Sequence, residues 1–145
     1  MVEKRCEDDY IIIKGKVVDG LGEGAKYVQL YNNSISRILG INPYPGTLNI
    51  LMDREYVDII ESVFSIDRPI YILPPPMEGF GKVYVWKAYI DCLQVYIVRP
   101  EITSHSRQIL EVISDVFLRK KLGKESGDSI DIVVTYSGII PCFCL

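Results

Sequence analysis

The sequence predicts a mainly β fold: a small closed barrel with two or three helices in its connections. About seven short segments are rich in β-branched and aromatic residues, as half-buried strands require. They do not alternate regularly with helical segments, which argues against a parallel doubly wound sheet. The chain also has no internal repeat, which leaves a barrel closed through long connections as the preferred architecture.

The 145 residues fit one domain of ordinary core size, here taken as residues 10–136 between a polar arm (1–9) and an apolar tail (137–145). Hydrophobic residues make up 48% and charged residues 24%, which excludes a disordered chain. The net charge of −3 gives no electrostatic footprint for nucleic acid or anionic membrane. No apolar run is long enough to span a bilayer, and the charged N-terminus lacks a signal-peptide core. Cys6, Cys92, Cys142 and Cys144 show no zinc spacing, so reduced thiols in a cytoplasmic protein are expected.

Tyr10 to Val18 (YIIIKGKVV) reads as a strand. The segment Asp19-Gly20-Leu21-Gly22-Glu23-Gly24-Ala25 follows, with glycine at alternate positions. Such a loop lets backbone amides approach an anion, although it matches neither a Walker loop nor a dinucleotide fingerprint and also suits a hairpin. Tyr27 to Leu30 is expected to be a short strand. Asn32 or Asn33 then caps a short helix carrying Ile35, Ile38 and Leu39, which Gly40 ends. After a linker with two prolines comes Pro45-Gly46-Thr47-Leu48-Asn49, a tight turn leading into the strand Thr47 to Met52. In a strand, Thr47 and Asn49 share one face, and a hydroxyl beside a carboxamide oxygen suits a hard cation such as Mg²⁺.

Arg54 to Phe64 is ambiguous, with Tyr56, Ile59, Ile60 and Val63 compatible with a helical face. Pro69 to Leu73 reads as a strand stopped by three prolines. The loop Met77 to Gly81 either covers an aromatic ligand or is an ordinary connection. Lys82 to Ile90 and Leu93 to Arg99 form a hairpin around Asp91-Cys92, with Trp86 in the core or at the barrel rim. Glu101 to Ser106 is a polar loop. Ser106 is expected to cap a helix with an apolar face of Ile109, Val112, Ile113 and Val116, leaving Glu111 and Asp115 on another side. A turn at Glu125 to Asp128 precedes the last strand, Ser129 to Tyr136.

Four stretches, taken in order, resemble the archaeal CTP-dependent riboflavin kinase family. They are Gly20-Leu21-Gly22-Glu23-Gly24; Leu39-Gly40-Ile41-Asn42-Pro43-Tyr44-Pro45-Gly46-Thr47-Leu48-Asn49; Thr103-Ser104-His105 with Ile109-Leu110-Glu111-Val112-Ile113 and Leu118-Arg119; and Gly127-Asp128-Ser129-Ile130. The resemblance covers roughly Ile12 to Val134. It implies a six- to seven-stranded cradle-loop barrel that transfers the γ-phosphoryl of CTP to the ribityl 5′-hydroxyl of riboflavin, giving FMN and CDP. Some members of that family add a winged-helix domain, and this chain reads as the kinase module alone, acting as a monomer without nucleic-acid or membrane partners.

Carried over by position, the resemblance implies nucleotide contacts from Gly20, Leu21, Gly22, Glu23, Gly24 and Ala25, and from Val116, Phe117, Leu118 and Arg119. It implies Mg²⁺ ligands at Thr47 and Asn49, and flavin contacts at Thr103 and Glu111. Glu111 is the carboxylate best placed to accept the proton of the attacking hydroxyl. His105, the only histidine, orders its loop or touches a substrate. Two departures stand out. Ala25 takes the place of a basic residue, with Lys26 following, and Ser114-Asp115 replaces Ala-Pro. These speak for one alternative, a catalytically impaired flavin- or nucleotide-binding barrel; a separate alternative is a barrel-type interaction or DNA-binding module.

Overall fold

The computed structural model describes residues 10–20, 22–63, 71–102, 106–135 and 139–145. Seven strands make one antiparallel sheet: β1 (Tyr10–Val18), β2 (Leu48–Met52), β3 (Tyr71–Leu73), β4 (Val83–Ile90), β5 (Leu93–Pro100), β6 (Ile109–Ile113) and β7 (Ser129–Thr135). Their order is β3-β4-β5-β6-β2-β1-β7, and β4 also pairs with β7 at Tyr89 and Val133. Six strands thus form a closed ring with β3 added alongside β4, which agrees with the expected closed β architecture. Closure removes the open edges of the six ring strands, leaving the three-residue β3 as the edge strand among the described residues.

The period of two along each strand sorts residues between the ring interior and its outer face. On β1 burial alternates, sending Ile13 and Val17 inward; Ile50 and Met52 on β2, Leu110 and Val112 on β6, and Ile130 and Ile132 on β7 join them in one apolar core. Trp86 lies in this core. A second cluster forms outside the ring. Val28, Tyr31, Ile35 and Leu39 pack there against Val83, Val85, Tyr96, Val98 and Ile113.

Those four residues correct one expectation. Tyr27 to Leu30 is not a strand: α1 (Gly24–Leu30), α2 (Asn32–Ser34) and a π-turn (Ile35–Leu39) follow one another as a helical stretch. Val28, Tyr31, Ile35 and Leu39 recur every three or four residues, so one stripe covers the sheet. The expected asparagine cap is absent, because residues 32 and 33 lie within the helical stretch and no side chain caps α2. Gly40 does end it, with φ of 71°.

The segment after Ser106 is the second correction. It forms β6, paired with β2 on one side and β5 on the other, not a capped helix. A strand covered on both faces reads as a nearly continuous apolar run, which periodicity alone cannot separate from a short helix. Backbone partners on both flanks decide it, since without β6 the ring would stand open. The ambiguous segment near residue 54 resolves into a 3₁₀ turn (Arg54–Tyr56) and α3 (Val57–Val63), and α4 (Leu118–Leu122) ends at Gly123. Asp91 and Cys92 both take positive φ (49° and 62°), the twist-matched hairpin turn.

The expected reduced thiols are also corrected. Cys92 and Cys144 form a disulfide with Cα atoms 5.4 Å apart, and Cys142 is disulfide-bonded as well. The β4–β5 turn and the 3₁₀ turn Cys142–Cys144 meet in space, which a search for short cysteine spacings does not see. No helix among the described residues is long and apolar enough to cross a membrane. The bridge closes a 52-residue separation, so Cys92→Ser/Cys144→Ser is expected to lose about 2–4 kcal/mol of stability. A lowered midpoint of chemical denaturation is the check.

Candidate active site

Strand register builds the centre of the site. Val18 pairs with Asn49, Asn49 with Glu111, and Glu111 with Val98, so one row crosses β1, β2, β6 and β5. Directly opposed residues in antiparallel strands share a face, here the outer one that the helical stretch covers. Asn49 is 5% exposed, and its Oδ1 is buried with no hydrogen-bond partner among the described residues. An unpaired buried acceptor is costly, so this oxygen is the feature of the row that asks for a ligand. Glu111, partly buried, stands beside it.

The glycine loop lies directly on these side chains. A Cβ at Gly20 would overlap the Asn49 carboxamide, and one at Gly24 would come within 2.7 Å of the Thr47 hydroxyl oxygen. Only glycine allows so close an approach of backbone to side chain at both positions. Gly24 and Ala25 open α1, with Glu23 at its N-cap position and without a side-chain cap. Ala25 and Lys26 are both exposed. One step along a helix turns a side chain by about 100°, so Lys26 does not take over the direction of position 25.

Two cavities meet at Thr47. The first is a cleft of about 240 Å³ bounded by Tyr44, Pro45, Gly46 and Thr47 on one side and Val116, Phe117, Leu118 and Arg119 on the other. The Tyr44 and Phe117 rings stack with centroids 4.8 Å apart, and the Tyr44 N–H donates to the Ser114 carbonyl at 2.8 Å. The second is a narrow apolar crevice between α1 and the sheet, lined by Tyr27, Val28, Tyr31, Val98, Ile113 and Thr47 among others.

Electrostatics differ at the two ends. At the cleft, the Ser126 hydroxyl and the Arg119 guanidinium hold the exposed Asp19 carboxyl below the usual carboxylate range. At the crevice, burial chiefly, then a hydrogen bond with Tyr31 and the nearby charge of Glu111, holds the Tyr27 phenol far above its ordinary value. The Tyr31 hydroxyl donates to the Gly81 carbonyl at 2.7 Å, tying the helical stretch to the loop before β4.

Of the residues expected at the site, the described fold brings together Gly20 with Asn49, Gly24 with Thr47, Asn49 with Glu111, and Thr47 with Val116–Arg119, by routes the sequence reading did not foresee. Glu111 reaches Asn49 from a strand, not a helix. Asp115 is exposed and its carboxylate accepts the Ser114 hydroxyl at 3.3 Å, outside the residues that line the cleft. Leu21, Thr103 and His105 lie outside the described residues. Sequence reasoning assigned no role to Asp19, Tyr27, Tyr44 or Ser126. A signal existed for Tyr44, an aromatic residue between two prolines; Asp19 and Ser126 carried none, being 107 positions apart.

Known proteins bear directly on this geometry. The family model CTP-dep_RFKase, described as "Domain of unknown function DUF120", matches residues 17–134. A riboflavin kinase of Staphylothermus marinus is 42% identical over 124 residues, 86% of this chain and 92% of that protein. One from Pyrococcus furiosus is 42% identical over 83% of this chain but 57% of its own length. One from Aeropyrum pernix is 34% identical over 82% of this chain and 92% of its own. This chain thus spans nearly the whole of two of these relatives and little more than half of the third.

The Tyr27 phenol carries a linkage consequence. The native state keeps this proton where the unfolded chain loses it, above the ordinary value of 10.0. The native state then binds more protons than the unfolded one, and stability falls as pH rises past about 10. Tyr27→Phe is expected to make that alkaline loss shallower, read from denaturation midpoints between neutral and alkaline pH.

Proposed function

The chain belongs to the riboflavin kinase family, phosphotransferases with an alcohol acceptor, and from that membership we propose that it transfers the γ-phosphoryl group of CTP to the ribityl 5′-hydroxyl of riboflavin, releasing CDP and FMN. The observation that carries the reading is the buried Asn49 Oδ1, without a hydrogen-bond partner among the described residues and in register with Glu111. A bond forms between the hydroxyl oxygen and the γ-phosphorus, the bond to the β-bridging oxygen breaks, and the hydroxyl proton goes to the Glu111 carboxylate.

Phosphoryl transfer depends mainly on positioning and neutralisation of charge. The backbone of Gly20, Gly22, Glu23, Gly24 and Ala25 cradles the phosphates, and the Val116–Arg119 segment forms the wall of the nucleotide cleft opposite Tyr44 to Thr47. Support comes from the cleft itself, whose stacked Tyr44 and Phe117 offer an aromatic wall while Arg119 supplies a cation. Glu111 contacts the flavin side; Thr103, outside the described residues, is assigned there by the family resemblance alone. The choice of CTP over other nucleotides is supported by the name of the matching family model.

The residues also fit Mg²⁺. A hard cation accepts neutral oxygen donors, and the Thr47 hydroxyl and the Asn49 Oδ1, which has no hydrogen-bond partner among the described residues, would supply two. Among the described residues no group of three or more His, Cys, Asp or Glu offers an alternative centre. Bound there, Mg²⁺ would supply charge neutralisation to the polyphosphate, and its two neutral ligands would leave that charge undiminished.

FMN formation from riboflavin, measured with CTP, ATP, GTP and UTP in parallel and with or without Mg²⁺, tests this directly. Product formed chiefly from CTP and only with Mg²⁺ is expected. Equal use of ATP would overturn the donor, and no product from any donor would overturn the kinase. Asn49→Ala and Glu111→Gln are each expected to lower turnover by about 100-fold or more while the melting temperature stays near that of the unmodified protein.

A further inference from the structure

Asp19 ends the β1 connection just ahead of the glycine loop, and Arg119 is the second residue of α4. The guanidinium donates from Nη1 to the Ser126 hydroxyl at 3.0 Å, and from Nη2 to the Val18 carbonyl at 3.3 Å and to Asp19 Oδ1 at 3.0 Å. Ser126 in turn donates to the same Asp19 Oδ1 at 2.6 Å, closing a ring of three side chains. Three segments more than a hundred residues apart at their extremes are joined through one planar group.

An exposed ion pair of this kind contributes little to stability, and Asp19 is exposed over 81% of its side chain. What the ring does control is where the guanidinium sits. Arg119 has five N–H donors in a rigid fork, and the ring with Val18 uses three. The remaining two, Nε–H and one on Nη1, belong to a side chain that itself lines the cleft with Thr47. A lysine or an untethered arginine would spend rotamer entropy on reaching the same place.

We infer that Asp19 and Ser126 are positioning residues that hold Arg119 with two donors presented to the polyphosphate of the nucleotide substrate. The inference rests on the reading of this cleft as the nucleotide site. It predicts that Asp19 acts on nucleotide affinity only through Arg119, despite carrying a charge that would repel phosphate on its own.

The test is a double-mutant cycle on the full chain with Mg²⁺ present, reading CDP affinity by calorimetry and the steady-state constants for CTP and riboflavin. Arg119→Ala is expected to weaken CDP by about 30-fold, as for loss of hydrogen bonds to a charged group. Asp19→Ala is expected to raise KM for CTP about fivefold, with KM for riboflavin and the melting temperature unchanged. Ser126→Ala is expected to act in the same direction. In the Arg119→Ala background, Asp19→Ala should cause no further loss, because the carboxylate then has no guanidinium to hold. Unchanged or tighter CDP binding in Asp19→Ala, or a penalty that persists without Arg119, overturns the positioning role while leaving the nucleotide cleft standing. CDP binding that Arg119→Ala leaves untouched overturns instead the placement of nucleotide at this cleft, and the inference with it.

Discussion

Everything at the site depends on the register between β2 and β6. Pairing Asn49 with Glu111 puts a buried carboxamide oxygen, unpartnered among the described residues, beside a carboxylate on the outer face of the ring. A slip of one residue would turn Asn49 into the apolar interior and bring Ile50 out. The core prevents that slip. Leu48, Ile50 and Met52 are buried among Leu110, Val112 and the inward side chains of β1 and β7, so the same alternation that fills the interior aims the polar pair outward. Packing and chemistry are thus two faces of one strand pairing.

Closure supplies the second constraint. β6 is held on both edges, by β2 and β5, and β4 reaches β7 to complete the ring. A site built on strands locked this way keeps its side chains in place better than one carried by loops. The less regular segments are then laid on top of it: the glycine loop against Thr47 and Asn49, and the helical stretch against Val98 and Ile113. Thr47 lines both cavities and so joins the cleft to the crevice beside the sheet.

Glycine and charge work together at the cleft. Backbone approaches side chain so closely at Gly20 and Gly24 that any larger residue would displace Asn49 or Thr47. A few residues away, the ring of Asp19, Ser126 and Arg119 ties the start of the same loop to α4. The loop is therefore held at its start by a polar ring and along its length by close approach to Asn49 and Thr47, contacts distinct from those of the hydrophobic core.

Much of this was legible in the chain. Alternation and β-branching marked most strands, Gly40 marked a helix end, and the order of the glycine loop, the Pro-Gly-Thr-Leu-Asn turn and the Glu111 segment pointed to one family, because local chemistry constrains those positions wherever they sit. What the sequence could not decide was the state of short apolar runs. Tyr27–Leu30 joined a helix because its stripe continues through Tyr31, Ile35 and Leu39. Residues 109–113 became a strand because β2 and β5 offered backbone partners on both sides. The Cys92–Cys144 bridge and the Asp19–Ser126–Arg119 ring were equally hidden. Each joins residues 52 or more positions apart, and only a closed fold brings such distant groups within bonding range.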